Sequence, residues 1–169
     1  TLTGSLSIVG RQDKTSITAA TSKRHFDVGI QVLTIKWLRL TGADISAQSS
    51  TNSYGGAIYI NNAGKLVATS CLIALNKASR GGAIYASKAS TLTLNNVTIQ
   101  SNIATHTGGG MVIYKGTATM TDSIIDGNKG FYCGGGIYVE GHNDATGKVI
   151  MTRCVIKNNE QNGDSHQSY

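Results

Sequence analysis

Gly81-Gly82-Ala83-Ile84-Tyr85 is the stretch that decides the fold. Related stretches begin at Gly55, Gly108 and Gly134, so the four starting glycines are 26, 27 and 26 residues apart. Self-similarity at a fixed period of this length is typical of solenoid proteins, in which each repeat stacks on the next. The sequence therefore predicts a repeat architecture.

A second repeated unit follows each glycine stretch in the same phase. In one copy, Leu92 and Leu94 alternate with polar residues, Val97 and Ile99 do so after a longer step, and Asn102 follows. Alternation of this kind is typical of strands, because successive side chains point to opposite faces. The step between Leu94 and Val97 indicates a bend between two short strands.

Together the two units predict coils of about 26 residues with three short strands each. One coil returns the chain to the same place one strand higher, and such parallel crossovers are nearly always right-handed. The predicted fold class is therefore all-β, a right-handed parallel β-helix of five to six turns. We expect one domain over 1–169, with an entry turn at 1–25, regular coils at 26–160 and a polar tail at 161–169.

An asparagine ends the second unit of each coil. The column comprises Asn76, Asn102, Asn128 and Asn159. Asparagine tolerates the left-handed backbone conformation that a sharp corner needs, and stacked amides can form hydrogen bonds along a solenoid. We expect these four residues to have a structural role at the turn.

Positive charge is concentrated in the first part of a chain whose net charge is +6. The basic residues are Arg11, Lys14, Lys23, Arg24, Lys36 and Arg39, against Asp13 and Asp27. A basic end attracts polyanions, but exposed charges also block edge pairing of strands, and we favour the second interpretation. Because no recognition helix or aromatic interleaving accompanies the charge, a nucleic-acid partner is not expected.

The three cysteines do not form a disulfide framework. Cys71 and Cys154 fall in one inward column three coils apart, or roughly 14 Å, which is too far for a disulfide. Both are expected to be small core residues. Cys133 lies at a corner and is either free or paired with Cys154.

One resemblance is carried by Gly-Gly-Ala-Ile at 55–58 and 81–84, together with a downstream x-x-Asn. This pairing resembles the repeat of the bacterial polymorphic outer-membrane proteins, whose signature pairs Gly-Gly-Ala-aliphatic with Phe-x-x-Asn. Here isoleucine stands where that family has phenylalanine, at Ile73, Ile99, Ile125 and Ile156. The resemblance covers roughly residues 26–160. It implies a passenger-like adhesive rod at the cell surface.

The sequence offers few candidate catalytic residues. Enzymes with this fold use clustered carboxylates, often with calcium, but the chain has only nine acidic residues. Asp122 and Asp126 fall in one coil, with Arg153 and Lys157 at the matching positions of the next, which favours a surface salt-bridge patch. The histidines show no ligand spacing. We therefore predict no catalytic residue, no metal and no cofactor.

An aromatic column is the first candidate binding surface. Tyr59, Tyr85 and Tyr138 share one outward position of the glycine strands, with Tyr114 nearby. Aromatic rows stack on sugars or on a partner protein, but they also stabilise a sheet by cross-strand stacking. The following loop, with His142 and Asp144, lies at the edge of this column.

A threonine-rich flat face is a second candidate. Its members, on the Leu-x-Leu strands, are Thr34, Thr69, Thr93, Thr119, Thr121 and Thr152. A flat ladder of β-branched residues is typical of ice-binding faces, although threonine is also an ordinary outward strand residue. Lys36 and Asn95 interrupt the array.

The favoured interpretation is a non-catalytic, extracellular or cell-surface, structural or adhesive module that binds a glycan or protein partner through an outer face. The alternative is a carbohydrate-active enzyme of the polysaccharide lyase, hydrolase or epimerase type, and ice binding is third. The longest apolar run is far below the ~18 residues of a membrane span, so the chain is not expected to cross a membrane. It could equally be a fragment of a longer protein or a subunit of a larger assembly.

Overall fold

The computed structural model describes residues 4–12, 15–141 and 147–163. In these residues, twenty-one strands pair in parallel to form four sheets, and one 3-10 helix covers Ser50–Ser53. Every complete coil visits the sheets in the same order, and we number them 1 to 4 from the glycine strands. The predicted all-β, parallel β-helical architecture is confirmed.

The strands are grouped by sheet as follows. Sheet 1 contains β3 (Phe26–Val28), β6 (Ile58–Ile60), β10 (Ile84–Ala86), β14 (Met111–Tyr114) and β18 (Ile137–Glu140). Sheet 2 contains β1 (Leu6–Val9), β4 (Val32–Lys36), β7 (Lys65–Thr69), β11 (Thr91–Asn95), β15 (Thr117–Thr121) and β19 (Lys148–Thr152). Sheet 3 contains β2 (Thr15–Thr18), β5 (Leu38–Thr41), β8 (Leu72–Ala74), β12 (Thr98–Gln100), β16 (Ile124–Asp126) and β20 (Val155–Lys157). Sheet 4 contains β9 (Lys77–Arg80), β13 (Ile103–Thr107), β17 (Lys129–Gly130) and β21 (Glu160–Gln161).

Sheet 4 is a difference from the predicted three strands per coil. Its buried inward positions are held by Ala78, Ala104 and Gly130, so the aliphatic alternation that marks the other strands is absent. Small residues are needed there because the backbone of sheet 4 lies close to the glycine corners. A Cβ atom on Gly130 would lie 2.8 Å from the carbonyl oxygen of Gly134.

The aliphatic columns fill the interior, as predicted. Ile84, Leu94 and Ile99, one from each of the first three sheets, are essentially inaccessible to solvent. Each stacks on its counterpart in the neighbouring coils, for example Ile84 on Ile58 and Met111. Burying one such side chain stabilises the fold by about 1.5–3 kcal/mol, so repetition of the columns is the main source of stability.

The last described coil is less well covered. Val139, Met151 and Ile156 occupy inward columns, but close to half of each side chain is exposed. No described coil lies beyond them, so only one side of each column is packed. The inward residues of β18, Ile137 and Val139, are thus incompletely buried.

The asparagine column forms a continuous hydrogen-bonded ladder, as expected for a structural role. The side-chain amides of Asn76, Asn102 and Asn128 each donate to the Oδ1 of the next asparagine, Asn159 being last, at 3.1, 2.9 and 2.9 Å. The backbone N–H of each also donates to that same oxygen, at 3.0 Å. The ladder therefore satisfies polar groups that the corner buries.

The expected left-handed conformation of these asparagines is wrong. The residues with positive φ are instead the ones just before them, Leu75, Ser101, Gly127 and Asn158. The left-handed residue turns the corner with its side chain outward, and the asparagine after it points inward into the ladder. The side-chain amide, rather than the backbone freedom of asparagine, explains the column.

All three cysteines are free. Cys71 is buried, whereas Cys133 and Cys154 are partly exposed. The prediction that Cys71 and Cys154 are not bridged is confirmed. Of the two alternatives for Cys133, the free thiol is the one observed.

Candidate functional site

The predicted tyrosine column is largely buried. Tyr59 and Tyr85 are only 9% and 5% exposed, and Val112 between Tyr85 and Tyr138 is inaccessible. The ring centroids of Tyr59 and Tyr85 are 5.8 Å apart, so the two rings pack against each other. Tyr114 and Tyr138 pack at the edge of this cluster and are partly exposed.

The long corner after β5 explains this burial. It delivers Tyr54, whose ring stacks on Tyr85 with centroids 4.7 Å apart. The Arg24 guanidinium lies 4.9 Å from the ring centroid of Tyr59 and donates a 2.6 Å hydrogen bond to the carbonyl oxygen of Asn52. The expectation that Tyr59 and Tyr85 present an aromatic face to a ligand is therefore wrong, because the loop folds over them.

The electrostatics of the tyrosine cluster agree with a structural role. Burial raises the pKa of Tyr85, and burial together with the charge of Asp27 raises the pKa of Tyr59. Both phenols therefore stay protonated at physiological pH. Beside them, Arg80 forms a 3.4 Å ion pair with Glu140 and lies 5.6 Å from the ring centroid of Tyr54.

Two predicted binding residues, His142 and Asp144, lie outside the described residues. The binding role predicted for Tyr114 and Tyr138 remains a prediction. Burial, with a further contribution from Glu140, raises the pKa of Tyr138.

The threonines of the flat face stand in two columns on sheet 2. One column runs Thr34, Val67, Thr93, Thr119 and Ile150, and its neighbour runs Lys36, Thr69, Asn95, Thr121 and Thr152. Both columns stand on the outer side of sheet 2, where their residues are exposed or half-buried. Ice binding by this face remains a prediction.

Acidic side chains on the outer surface are paired with bases one coil away. Arg153 binds Asp122 through two hydrogen bonds of 2.6 and 2.8 Å, and Lys157 lies 3.7 Å from Asp126. The bond from Arg153 lowers the pKa of the Asp122 carboxyl. The predicted salt-bridge patch is confirmed. A general acid would need the opposite pKa shift.

The described part of the chain contains no group of three or more His, Cys, Asp or Glu side chains that could hold a metal ion. His25 lies between β2 and β3, and one ring nitrogen is 2.9 Å from the carbonyl oxygen of Ile17. Burial lowers the pKa of its imidazole.

An aromatic groove that the repeat pattern did not reveal lies on the outer side of sheet 4. It has a volume of about 500 Å³ and is lined mainly by Ile103, Ala104, Thr105, Phe131, Tyr132 and Asn162. Phe131 and Tyr132 are 45% and 37% exposed. The adjacent pair Phe131-Tyr132 is visible in the sequence, but it does not recur in other coils, so the repeat does not reveal it.

The rings of the aromatic groove are held in fixed orientations. Phe131 and Tyr132 meet nearly at right angles, with centroids 4.8 Å apart, and His106 contacts Tyr132 edge-on at 4.7 Å. The backbone N–H of Tyr132 donates to the carbonyl oxygen of His106 at 2.8 Å. The ion pair between Lys129 and Glu160, 3.0 Å long, supplies charge beside the groove.

The four stacked sheets define the class of the molecule as a parallel β-helix protein. Residues 11–168 match the model of the right handed beta helix region family, and the chain belongs to that family. The predicted handedness is thereby confirmed. No curated protein and no solved structure matches the chain. The narrower resemblance to polymorphic outer-membrane proteins stays a prediction.

Across the described residues, no helix has the length and apolar character required to traverse a bilayer.

Proposed function

We propose that this β-helix is a non-catalytic adhesive module that acts outside the cell or on its surface. In this proposal, the module binds a glycan or protein partner through the aromatic groove. The observation that carries the proposal is the exposure of Phe131 and Tyr132 on an outer face, at a groove of about 500 Å³. Exposed aromatic side chains next to polar groups are typical of binding surfaces.

The geometry of the groove supports binding with little reorganisation. Phe131 and Tyr132 are fixed by their mutual contact, and His106 supports the second ring. Rings that are already ordered lose little conformational entropy when a ligand stacks on them. Asn162 and the pair Lys129–Glu160 offer hydrogen-bonding groups at the rim for sugar hydroxyls or a polar backbone.

The state of the carboxylates supports a non-catalytic role. Five of the six acidic residues in the described segments form ion pairs: Asp44, Asp122, Asp126, Glu140 and Glu160. Glycoside-cleaving sites typically combine one carboxylate with a second carboxyl group kept protonated by a raised pKa. Asp122 has a lowered pKa instead, because Arg153 binds it.

The test is a glycan array and a pull-down from surface extracts with the full chain and with Phe131→Ala and Tyr132→Ala. Truncating an aromatic anchor of this kind costs about 2 kcal/mol or more of binding energy, so affinity should fall at least about tenfold. The control is Ile30→Ala, which removes an exposed apolar side chain at the corner between sheets 1 and 2. Equal binding by all variants, or no ligand for the intact chain, would contradict the proposal.

The two other candidate functions have their own readouts. A carbohydrate-active enzyme would turn over acidic polysaccharides and lose that activity in Asp126→Asn. An ice-binding protein would show thermal hysteresis that Thr93→Lys removes, since Thr93 stands on the exposed face of β11.

A further inference from the structure

Trp37 occupies an unusual position at the corner between sheets 2 and 3. In five successive coils the residue at this corner has a left-handed backbone, with φ of 50–55°. The five residues are Trp37, Ser70, Asn96, Asp122 and Arg153. Each of the first four donates its backbone N–H to the residue before the next corner, so the corners are equivalent. Four are polar, and the bulky Trp37 is the exception.

The left-handed backbone is common to all five corners, and asparagine and aspartate tolerate it better than tryptophan does. Bulky residues in this conformation are unusual and concentrate at functional positions. Trp37 is only half-buried, so core packing does not account for it. It is also the single tryptophan of the chain.

The surroundings of Trp37 form a groove of about 270 Å³. Trp37, Arg39 and the polar residues Ser70, Asn96 and Thr98 line the groove together with Leu38, Cys71 and Leu72. Asn96 and Ser70 are ordered by a 3.2 Å hydrogen bond between their side chains. An aromatic wall with hydroxyl and amide groups beside it is a composition suited to a sugar ring.

Two positive charges accompany this groove. The Lys36 ammonium lies 4.0 Å from the centroid of the Trp37 ring, and Arg39 is exposed in the groove wall. Among the ion pairs of the described residues, none involves Lys36 or Arg39. The charged residues at the same corner three and four coils further on, Asp122 and Arg153, do pair with each other. The groove therefore carries charge that no described carboxylate balances.

We propose that the Trp37 groove is a binding site for an anionic glycan, with a sugar ring against the indole and its carboxylate or sulfate paired with Arg39 and Lys36. Arginine suits this task because its planar guanidinium binds such oxyanions through two hydrogen bonds. The proposal deepens the adhesive function but uses a different corner of the coil, so it stands or falls separately from the aromatic groove.

The single tryptophan makes the test direct, because its fluorescence reports on this groove alone. The probe is a heparin-derived octasaccharide titrated into the full chain, with neutral maltooctaose as the matched ligand. We expect saturable quenching by the charged probe that weakens as salt is added, and none by maltooctaose. Binding of both sugars alike, or of neither, overturns the proposal.

Three charge variants locate the site. Arg39→Gln and Lys36→Gln should each weaken the octasaccharide by about tenfold, the effect of removing one charge-assisted contact. The control Lys65→Gln removes an exposed lysine from the same sheet in the next coil and should leave affinity unchanged. Similar losses in all three variants would mean diffuse charge attraction, and would overturn the assignment to this groove.

The role of the indole is tested with Trp37→Ser, which copies Ser70 at the next corner and should fold. Calorimetry replaces fluorescence for this variant, and affinity should fall about tenfold or more. Unchanged affinity overturns the stacking contact. Vesicles with anionic headgroups and a single-stranded DNA oligonucleotide serve as competitors. If either binds as tightly as the octasaccharide, the site is not a glycan site.

Discussion

Leu75 is a corner residue with a strained backbone conformation. Its φ is +57°, and its side chain is 66% exposed, so it gains little from packing. Equivalent corners are occupied by Ser101, Gly127 and Asn158. A branched apolar residue in this conformation is unfavourable, and the pattern of the neighbouring coils indicates what the corner prefers.

Replacing Leu75 with asparagine should therefore stabilise the protein. We expect Leu75→Asn to raise the free energy of unfolding by about 0.5–1 kcal/mol, since it relieves left-handed strain without removing buried surface. Chemical denaturation checks this value. A loss of stability would mean that Leu75 makes a packing contribution its exposure does not suggest.

Asn102 is the residue on which the ladder depends most clearly. It donates to Asn128 and to the carbonyl oxygens of Ile73 and Gln100, and it accepts from Asn76. Asn102→Ala leaves several buried groups without partners, at about 1–3 kcal/mol each, so we expect a loss of at least about 3 kcal/mol in unfolding free energy.

Asn95 provides the matched control for that measurement. It is exposed on the outer face of β11, in the same coil, and its φ is not positive. Asn95→Ala should change the unfolding free energy by less than about 1 kcal/mol. Equal effects of the two substitutions would show that the ladder adds nothing beyond an ordinary surface contact.

At the scale of elements, the outer face of sheet 1 behaves as a second small core. The loop between β5 and β6 brings Tyr54 onto Tyr85, and Arg24 ties this loop to the sheet. We expect Tyr85→Ala to destabilise the fold by about 3–5 kcal/mol, whereas Tyr85→Phe, which keeps the ring, costs about 1 kcal/mol or less. Thermal unfolding of both variants measures the difference.

The opposite result would restore the tyrosine column as a candidate ligand surface. If Tyr85→Ala unfolds at the wild-type temperature, then the ring contributes no packing energy and its burial under the loop is incidental. Tyr132→Ala is the comparison, because that ring is far more exposed and its removal should affect stability little.

These elements also show which features the sequence could predict and why other features of the structure could not be predicted. Period and alternation reveal every column of large aliphatic residues, such as the one containing Ile84, because each coil repeats the same physical requirement. Sheet 4 escaped because Ala78 and Ala104 meet that requirement with side chains too small to stand out. Features that occur once, such as the loop over Tyr85 or Trp37 at its corner, depend on how non-repeating residues fold onto the repeat.

At the scale of the whole molecule, the coils are coupled mainly to their immediate neighbours. Stability in such a rod is close to a sum over coils and the interfaces between them, so the interior and the periphery differ in how readily they open. The last described coil, with Met151 and Ile156 half exposed, has packed side chains on one side only. We expect opening to begin there under native conditions.

The three free thiols make the local opening of the coils measurable. Cys71 is buried and its pKa is raised by burial, whereas Cys133 and Cys154 are partly exposed and lie two and three coils further along. A thiol-reactive dye, followed by mass spectrometry, should label Cys154 and Cys133 first and Cys71 at least about a hundredfold more slowly. Labelling of Cys71 as fast as Cys154 would mean that its coil opens as readily as the last one, whereas the expected delay would show that the coil of Cys71 stays closed while the other two thiols react.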